Sequence, residues 1–277
     1  KEWICKDSDA ALIFVDEILN EWRAVNAKQV LISTGVIDPS VELVESTGTN
    51  NSNRQTVDSA YILYTSGSTG NPKGVIISQR AFANYVSWAA DYYDLRSGSG
   101  AVFHGSIGFD ATLTSIFPPL SVGQRIIIPL SSRDPIDGIA SLVRARRSLS
   151  LLKLTPTHLE LLNANLNHQI PNDSVQCLVL GGEALKGEAI SEWHESPLSV
   201  RVINEYGPTE TVVGCCIYEV PNGNNAGGPV PIGRPIQNVG LRVIDPEANF
   251  LPIGVVGELF IYGESVGDGY LNQKLLT

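Results

Sequence analysis

The sequence contains no methionine among its 277 residues, and it begins with Lys1. These two features predict that the chain is a fragment of a longer protein or that its sequence has been edited. Positive charge is scarce as well, because 19 Lys and Arg residues stand against 29 Asp and Glu residues, for a net charge of −10. The main basic run is RARR at residues 144–147. An acidic chain repels phosphate backbones and anionic lipid headgroups, so we expect neither nucleic acid nor a membrane as a partner.

Long apolar runs are also missing, and the first residues do not form a signal peptide, so no membrane span is predicted. The four cysteines are Cys5, Cys177, Cys215 and Cys216. None of them shows the C-x-x-C spacing of a zinc site, which favours a reducing, cytoplasmic location. Apolar residues nevertheless make up 43% of the chain, which is enough for a substantial core.

Short β-rich segments alternate with helical patterns along most of the chain. The predicted strands are residues 11–15, 30–33, 60–64, 75–78, 101–104, 125–128, 151–154, 178–180 and 200–203. Apolar residues at helical spacing predict one helix after a Ser78 cap and another over about 135–146. This alternation predicts an α/β fold.

A break rich in Gly, Pro and Asn at residues 221–235 separates this pattern from two further predicted strands, at 239–244 and 258–262. No helical pattern lies between these two strands. We therefore predict an α/β core over residues 1–228 and a smaller β-rich subdomain over residues 229–277.

A loop of small and turn-forming residues interrupts the segment YILYTSGSTGNPKGV at residues 61–75 and ends near Lys73. Glycines allow the backbone to approach a ligand closely, and hydroxyls, N–H groups and a lysine suit a phosphate. The segment departs from the G-x-x-x-x-G-K-[ST] template at Pro72 and Gly74, and a strand rather than a helix is predicted after it. It therefore predicts a strand–loop–strand phosphate site of another kind, with a flexible hairpin as the alternative.

The segment NEYGPTE at residues 204–210 directly follows a predicted strand, and α/β sheets bind ligands at the carboxyl ends of their strands. Tyr206 offers a stacking face, Asn204 an amide, Thr209 a hydroxyl and Glu210 a carboxylate for Mg²⁺. The alternative is a simple Gly-Pro turn with polar residues on the surface.

Three segments in order resemble the adenylate-forming superfamily, and most closely the adenylation domains of nonribosomal peptide synthetases: YTSGSTGNPKG at 64–74, NEYGPTE at 204–210 and GELFIYGESVGDGYLN at 257–272. The resemblance covers residues from about 60 to 277. It implies an α/β fold that forms the large N-terminal subdomain of the adenylate-forming fold, with layered β-sheets and helices and a β-rich subdomain near the C-terminus.

The resemblance implies that ATP and an amino acid react, with Mg²⁺ present, to give an aminoacyl-adenylate and pyrophosphate. The aminoacyl group would then pass to the phosphopantetheine of a peptidyl carrier protein, alongside other synthetase modules that make a secondary metabolite. The family's lysine that contacts the substrate carboxylate belongs to a small mobile C-terminal subdomain, which the resemblance places after residue 277. No catalytic residue is therefore predicted within the chain.

The resemblance also implies a binding site for ATP. Its phosphates would lie on Thr65, Ser66, Gly67, Ser68, Thr69, Gly70 and Lys73. Its adenosine would lie among Gly182, Glu183, Ala184, Asn204, Tyr206, Gly207 and Thr209. The carboxylate of Glu210 would contact Mg²⁺.

The segment FDAT at residues 109–112 matches the family's FDxS/T motif. By resemblance, Asp110 pairs with the α-ammonium group of an amino acid, which distinguishes amino-acid activators from fatty- or aryl-acid activators; a helix N-cap is the alternative. The same resemblance implies a substrate pocket formed by Phe109, Asp110, Ala111, Thr114, Lys153, Val179, Gly181, Glu205, Val213 and Gly214.

Lys153 and Glu205 together offer one donor and one acceptor to a substrate side chain, as a primary amide requires. An aspartate side chain would face Glu205 as a like charge, whereas leucine or phenylalanine would leave both charges unpaired with the substrate. We therefore predict L-asparagine as the substrate, with glutamine and aspartate next. For Lys153 alone, the alternative is a strand lysine that reaches water.

Three functions follow from the sequence. The first is an amino-acid-adenylating ligase of a peptide synthetase. The second is a related acyl-CoA or aryl-acid ligase, against which Asp110 argues because its carboxylate needs an ammonium partner. The third is a truncated, non-catalytic domain that binds nucleotide or amino acid.

Overall fold

The structure is a computed structural model, and it describes residues 12–15, 28–33, 36–37, 58–66, 71–129, 134–194, 200–222 and 227–277, the first three as backbone strands. The strands are β1 (Leu12–Val15), β2 (Lys28–Ser33), β3 (Val36–Ile37), β4 (Ser59–Thr65), β5 (Lys73–Ser78), β6 (Ala101–Val102), β7 (Ile126–Ile127), β8 (Leu149–Leu154), β9 (Val175–Gly181), β10 (Arg201–Tyr206), β11 (Cys216–Val220), β12 (Arg234–Pro235), β13 (Val239–Ile244), β14 (Glu258–Gly263) and β15 (Gly269–Tyr270). The helices are α1 (Gln79–Tyr92), α2 (Phe117–Ser121), α3 (Pro135–Arg144) and α4 (Pro156–Asn165), with 3₁₀ helices at Asp110–Ser115, Gly187–Trp193 and Thr209–Thr211. The predicted α/β alternation is confirmed.

Helix α1 begins as the sequence predicts, because the Ser78 hydroxyl accepts a hydrogen bond from the backbone N–H of Ala81 at 3.2 Å. Its buried residues are Ala81, Tyr85, Ala89 and Ala90. Helix α3 begins at Pro135 with Asp134 as its N-cap, an arrangement that suits the fixed φ of proline. It ends at Arg144, two residues before the predicted end, and Arg146 has a φ of 49° that a helix does not allow.

The chain divides into two compact units, residues 1–76 with 268–277 and residues 77–267. In the first unit, β5 lies between β4 and β15, so the predicted strand–loop–strand order around the glycine-rich segment is confirmed. The second unit holds a seven-stranded sheet in the order β12-β11-β10-β9-β8-β6-β7 and the antiparallel pair β13–β14. The boundary proposed between residues 228 and 229 stays a prediction.

Five neighbouring strands of the large sheet, β10, β9, β8, β6 and β7, run parallel to one another. At one edge, β11 is antiparallel to β10, and β12 is antiparallel to β11. Strand β8 is buried along its whole length, as a near-continuous apolar strand in a covered parallel sheet should be. Its Leu152 and Leu154 belong to one apolar core with Leu178, Leu180 and the inner faces of α3 and α4. In the part of the chain that the structure describes, no helix has the length and apolar character needed to cross a bilayer.

The register of β8, β9 and β10 decides which side chains share a face. Lys153 lies beside Val179, which lies beside Ile203. Glu205 is two residues beyond Ile203 and beside Gly181, so it points to the same face as Lys153. Four predicted pocket residues are thereby placed together at the carboxyl ends of parallel strands.

Replacing Leu152 with alanine should lower the free energy of unfolding by about 2–5 kcal/mol, because a fully buried side chain leaves a cavity. Leu161→Ala is the matched control, since Leu161 lies on α4 with 52% exposure. Urea unfolding followed by circular dichroism measures both variants. Equal losses in the two variants would contradict the placement of Leu152 in the core.

Candidate active site

A cavity of about 390 Å³ lies at the carboxyl ends of β8 and β9, within the size range of small-molecule sites. It is lined by His104, Gly105, Ser106, Phe109, Asp110, Ala111, Thr112, Ser115, Lys153, Leu154, Thr155, His158, Gly181, Gly182 and Glu183. Five predicted substrate residues and two predicted nucleotide residues are among them. The lining also contains His104 and His158, which the sequence analysis did not include in the pocket.

The other predicted pocket residues do not line this cavity. They are Thr114, Val179, Glu205, Val213 and Gly214, and all are buried. Glu205 and Thr114 are nevertheless connected to the lining by side-chain contacts through Lys153 and Tyr85. These two residues therefore form a second layer behind the wall.

Lys153 and Glu205 form a buried ion pair in which the Lys153 ammonium donates to Glu205 Oε2. Lys153 is 6% exposed and Glu205 is 3% exposed, so the alternative of a lysine that reaches water is wrong. Burial lowers the pKa of the Lys153 ammonium to about 7, and the carboxylate of Asp110 opposes this shift. The two charges face each other in this structure, and Lys153 is the member that reaches the cavity.

Two tyrosines that the sequence analysis missed hold the other oxygen of Glu205. The hydroxyl of Tyr85 donates to Glu205 Oε1 at 2.9 Å, and the hydroxyl of Tyr93 donates to the same oxygen at 2.6 Å. The Tyr85 hydroxyl also lies 2.7 Å from that of Thr114. Burial raises the pKa of Tyr93 well above its usual range, so this hydroxyl stays protonated and remains a donor.

Asp110 is the first residue of the 3₁₀ helix Asp110–Ser115, and the preceding N-cap residue, Phe109, makes no side-chain cap hydrogen bond. The alternative of an Asp110 N-cap is therefore wrong. Among the described residues, no group hydrogen-bonds to the buried Oδ2 of Asp110. An acceptor left in this state favours a cationic donor from outside the chain.

Burial and several neighbouring groups shift the pKa of the Asp110 carboxyl group in opposite directions. Burial raises the pKa of its carboxyl group above the usual range. The Thr209 hydroxyl, the backbone N–H of Ala111 and the Lys153 ammonium oppose that rise, whereas the Glu210 carboxylate adds to it. Asp110 therefore lies close enough to Glu210 for the two carboxylates to interact.

The backbone after NEYGPTE is strained beside Glu205. Val212 and Val213 have φ values of 55° and 62°, which β-branched residues rarely adopt. Gly214 follows them, and a Cβ atom on it would lie 2.4 Å from Cδ and 2.5 Å from Oε1 of Glu205. Only glycine leaves room for the carboxylate here.

The predicted adenosine residues lie in the loop after β9, in β10 and just after β10. The Asn204 amide donates to the backbone carbonyls of Val230 and Pro231, at 3.4 and 2.9 Å. Tyr206 ends β10 with an exposed ring. Gly207 is closely packed, since a Cβ atom on it would lie 2.6 Å from the Val213 carbonyl oxygen.

The loop after β9 is fixed to the start of α4. Gly182 has a φ of 83°, which glycine adopts without strain. Glu183 accepts hydrogen bonds from the backbone N–H of Thr157 at 3.1 Å and from its hydroxyl at 2.6 Å. The Thr157 hydroxyl holds the pKa of Glu183 below its usual range. Ala184 is exposed beside it.

The predicted phosphate residues are described in part. Thr65 ends β4, Ser66 follows it, and Lys73 begins β5. The Lys73 ammonium lies 4.5 Å from the centroid of the Tyr270 ring, a cation–π distance. The residues between them, Gly67, Ser68, Thr69 and Gly70, lie outside the described residues.

Glu210 is half-buried in the 3₁₀ helix Thr209–Thr211, and its backbone carbonyl accepts from Gly267 N–H at 2.8 Å. Within the described ranges, no three His, Cys, Asp or Glu side chains are grouped as a metal cage would need. In nucleotide sites, Mg²⁺ is held by one or two carboxylates together with phosphate oxygens. The Glu210 carboxylate is a ligand of the type that such an arrangement uses.

A family model described as "AMP-binding enzyme" matches residues 2–271. The chain belongs to this family. It is 38% identical to bacitracin synthase 3 of Bacillus licheniformis over 277 residues, which cover 100% of the chain and 4% of that protein. It is also 38% identical to tyrocidine synthase 3 of Brevibacillus parabrevis over 221 residues, which cover 79% of the chain and 3% of that protein.

Solved structures show the same fold as this chain. The nonribosomal peptide synthetase FmoA3, solved with alpha-methyl-L-serine-AMP bound, aligns with a TM-score of 0.80 at 22% identity, over 100% of the chain and 31% of that protein. The N-terminal subdomain of Klebsiella oxytoca NpsA, in complex with 3-hydroxybenzoyl-AMSN, aligns with a TM-score of 0.72 at 22% identity, over 99% and 67% of the two chains. The predicted fold class and the resemblance to synthetase adenylation domains are confirmed.

Replacing Gly214 with alanine should lower the free energy of unfolding by about 1–3 kcal/mol, because the added carbon overlaps the Glu205 side chain. Gly108→Ala is the control, since its Cβ would lie 3.4 Å from the nearest atom, the Ser106 hydroxyl oxygen. Urea unfolding measures both. A Gly214→Ala variant as stable as Gly108→Ala would show that Glu205 is not held against residue 214.

Proposed function

We propose that the chain activates an amino acid for nonribosomal peptide synthesis, by joining it to AMP with release of pyrophosphate. The observation that carries the proposal is the buried Oδ2 of Asp110 on the cavity wall, which has no partner among the described residues, in a chain that matches the AMP-binding family over residues 2–271. A carboxylate in that state suits the α-ammonium group of an amino acid. A fatty or aryl acid would leave it unpaired, which argues against the related ligases.

Charge balance supports L-asparagine as the substrate, with glutamine and aspartate next. Asp110 would take the ammonium group, and the Lys153–Glu205 pair is neutral as a whole. A primary amide adds no charge: its carbonyl accepts from Lys153, and its NH₂ donates to Glu205. Hydrogen bonds of this kind contribute about 1.5–3 kcal/mol each. An aspartate side chain would instead add a negative charge beside Glu205.

The reaction forms a bond between a carboxylate oxygen of the amino acid and the α-phosphorus of ATP, and it breaks the bond from that phosphorus to pyrophosphate. We propose that residues 65–70 and Lys73 hold the phosphates and that the adenosine contacts Tyr206, Asn204 and the loop after β9. Mg²⁺ on Glu210 would offset charge on the phosphates. The lysine that completes the family's site is proposed to lie in the C-terminal subdomain.

The partners proposed for this activity are a peptidyl carrier protein, which accepts the aminoacyl group on its phosphopantetheine, and other synthetase modules. The chain spans 4% and 3% of the two synthases described above, so these partners concern the longer protein. The cytoplasmic location and the absence of nucleic-acid and membrane partners also stay proposals.

Pyrophosphate exchange by the complete protein, measured across the amino acids and a set of carboxylic acids without an amino group, tests the function. We expect asparagine to give the highest kcat/KM, and glutamine and aspartate to follow. Exchange with benzoic or fatty acids alone would favour the aryl-acid or acyl-CoA ligase. Binding of ATP without exchange for any acid would favour the non-catalytic domain.

Asp110→Ala should lower kcat/KM for the amino acid at least ~30-fold, because an ammonium group that loses a buried counter-charge loses about 2–5 kcal/mol of binding. The KM for ATP should not change. Asp91→Ala is the control, since Asp91 is an exposed residue paired with Arg96. Undiminished exchange in a folded Asp110→Ala protein would remove the basis for the amino-acid assignment.

Glu205→His should raise the ratio of kcat/KM for aspartate over asparagine by ~10- to 100-fold, since each 1.4 kcal/mol is a factor of ten. The substitution removes the carboxylate that repels an aspartate side chain, and it releases Lys153 to pair with that side chain. The ratio is measured by exchange in both proteins. If this ratio does not rise, Glu205 does not contact the substrate side chain as proposed, and the asparagine assignment is wrong.

A further inference from the structure

We propose that Tyr85 and Tyr93, which do not line the cavity, are positioning residues that set amino-acid selectivity by fixing the carboxylate of Glu205. The inference rests on the proposed function, since it concerns the choice of side chain at the same site. Both tyrosines come from α1 or its C-cap, far along the chain from the predicted pocket residues in β8–β10.

The contacts are those of a fully desolvated anion. Tyr85 is 0% exposed and Tyr93 is 1% exposed, and their hydroxyls both donate to Glu205 Oε1, at 2.9 and 2.6 Å. A hydroxyl-to-carboxylate distance near 2.6 Å is typical of a charge-assisted hydrogen bond, which is about twice as strong as a neutral one.

Counting acceptor sites shows what the tyrosines leave for a substrate. Each carboxylate oxygen has two lone pairs. The two hydroxyls use both lone pairs of Glu205 Oε1, and the Lys153 ammonium uses one of Oε2. The remaining acceptor site of Glu205 is therefore on Oε2, beside the lysine that reaches the cavity. By this geometry the tyrosines decide which oxygen can serve a substrate amide.

The same hydrogen-bond network determines whether the Thr114 hydroxyl acts as a donor or an acceptor. Tyr85 has one hydroxyl proton, which it donates to Glu205, so at the 2.7 Å contact Thr114 is the donor. Thr114 Oγ1 then keeps only acceptor lone pairs. The second layer thus holds two acceptors, Thr114 and Glu205, with Lys153 as the donor, which matches the two N–H groups and one carbonyl of a primary amide.

Tyr85→Phe and Tyr93→Phe test the proposal, because each keeps the ring and removes only the hydroxyl. Tyr92→Phe is the matched control: its hydroxyl also donates to a glutamate, Glu219, at 3.0 Å, in an exposed pair that does not line the cavity. Pyrophosphate exchange by the complete protein is measured with L-asparagine and with L-alanine, whose methyl group requires no partner from Glu205.

We expect the asparagine-to-alanine ratio of kcat/KM to fall about tenfold in Tyr85→Phe and in Tyr93→Phe, through the KM for asparagine. The KM for ATP and the Tyr92→Phe ratio should stay unchanged. If the tyrosines only stabilise the fold, loss of a hydroxyl would lower kcat/KM equally for asparagine and alanine. An unchanged ratio would therefore overturn the proposal. If the wild type prefers another amino acid, the asparagine assignment fails and that amino acid replaces asparagine in the ratio.

A second measurement does not depend on activity. The rate at which N-hydroxysuccinimidyl acetate acylates Lys153 is followed by mass spectrometry, with the exposed Lys186 as internal reference. When Glu205 is no longer fixed, the lysine ammonium loses its partner and gives up its proton more readily, so acylation should be several-fold faster in the Tyr85→Phe and Tyr93→Phe proteins. Acylation as slow as in Tyr92→Phe would show that the tyrosines do not fix the ion pair, even if no amino acid supports exchange and the proposed function fails.

Discussion

The buried ion pair between Lys153 and Glu205 constrains the residues around it. Moving two charges out of water costs several kcal/mol for each ion, and their attraction offsets this only with good geometry and further hydrogen bonds. The hydroxyls of Tyr85 and Tyr93 supply those hydrogen bonds. Space is the second requirement, and glycine meets it at Gly181, where a Cβ atom would lie 3.3 Å from the Lys153 nitrogen.

The sheet places this polar pair without exposing the apolar core. Residues alternate between the two faces of a strand, so Lys153 faces the tyrosines while Leu152 and Leu154 face the core under α3 and α4. Strand β9 lies between β8 and β10, and it carries Cys177, Val179 and Gly181 on the polar face. The small Gly181 lets the two charged side chains meet across the intervening strand.

Local patterns were sufficient for most of the longer strands and for the starts of α1 and α3, because caps and apolar periodicity lie in consecutive residues. The contact between Lys153 and Glu205 was not predictable in this way, since it depends on the register of two strands that flank a third. Tyr85 lies in the segment where apolar periodicity predicts a helix, but periodicity does not report where a hydroxyl points. Strand β11 was missed, since its sequence CIYEV has no clear alternation.

Two carboxylates near the cavity, those of Glu205 and Asp110, differ in the hydrogen-bond donors that they can still accept. Because of this difference, the two ends of a ligand are not interchangeable in the site. Glu205 already has three donors, so it can accept only one more hydrogen bond from a neutral group. Asp110 keeps a buried oxygen without a partner among the described residues, so it favours a full positive charge. An amino acid brings one ammonium group and one side chain, and exchanging their positions would leave Asp110 without its cation. Under the proposed function, this arrangement would select the orientation of the amino acid as well as its side chain.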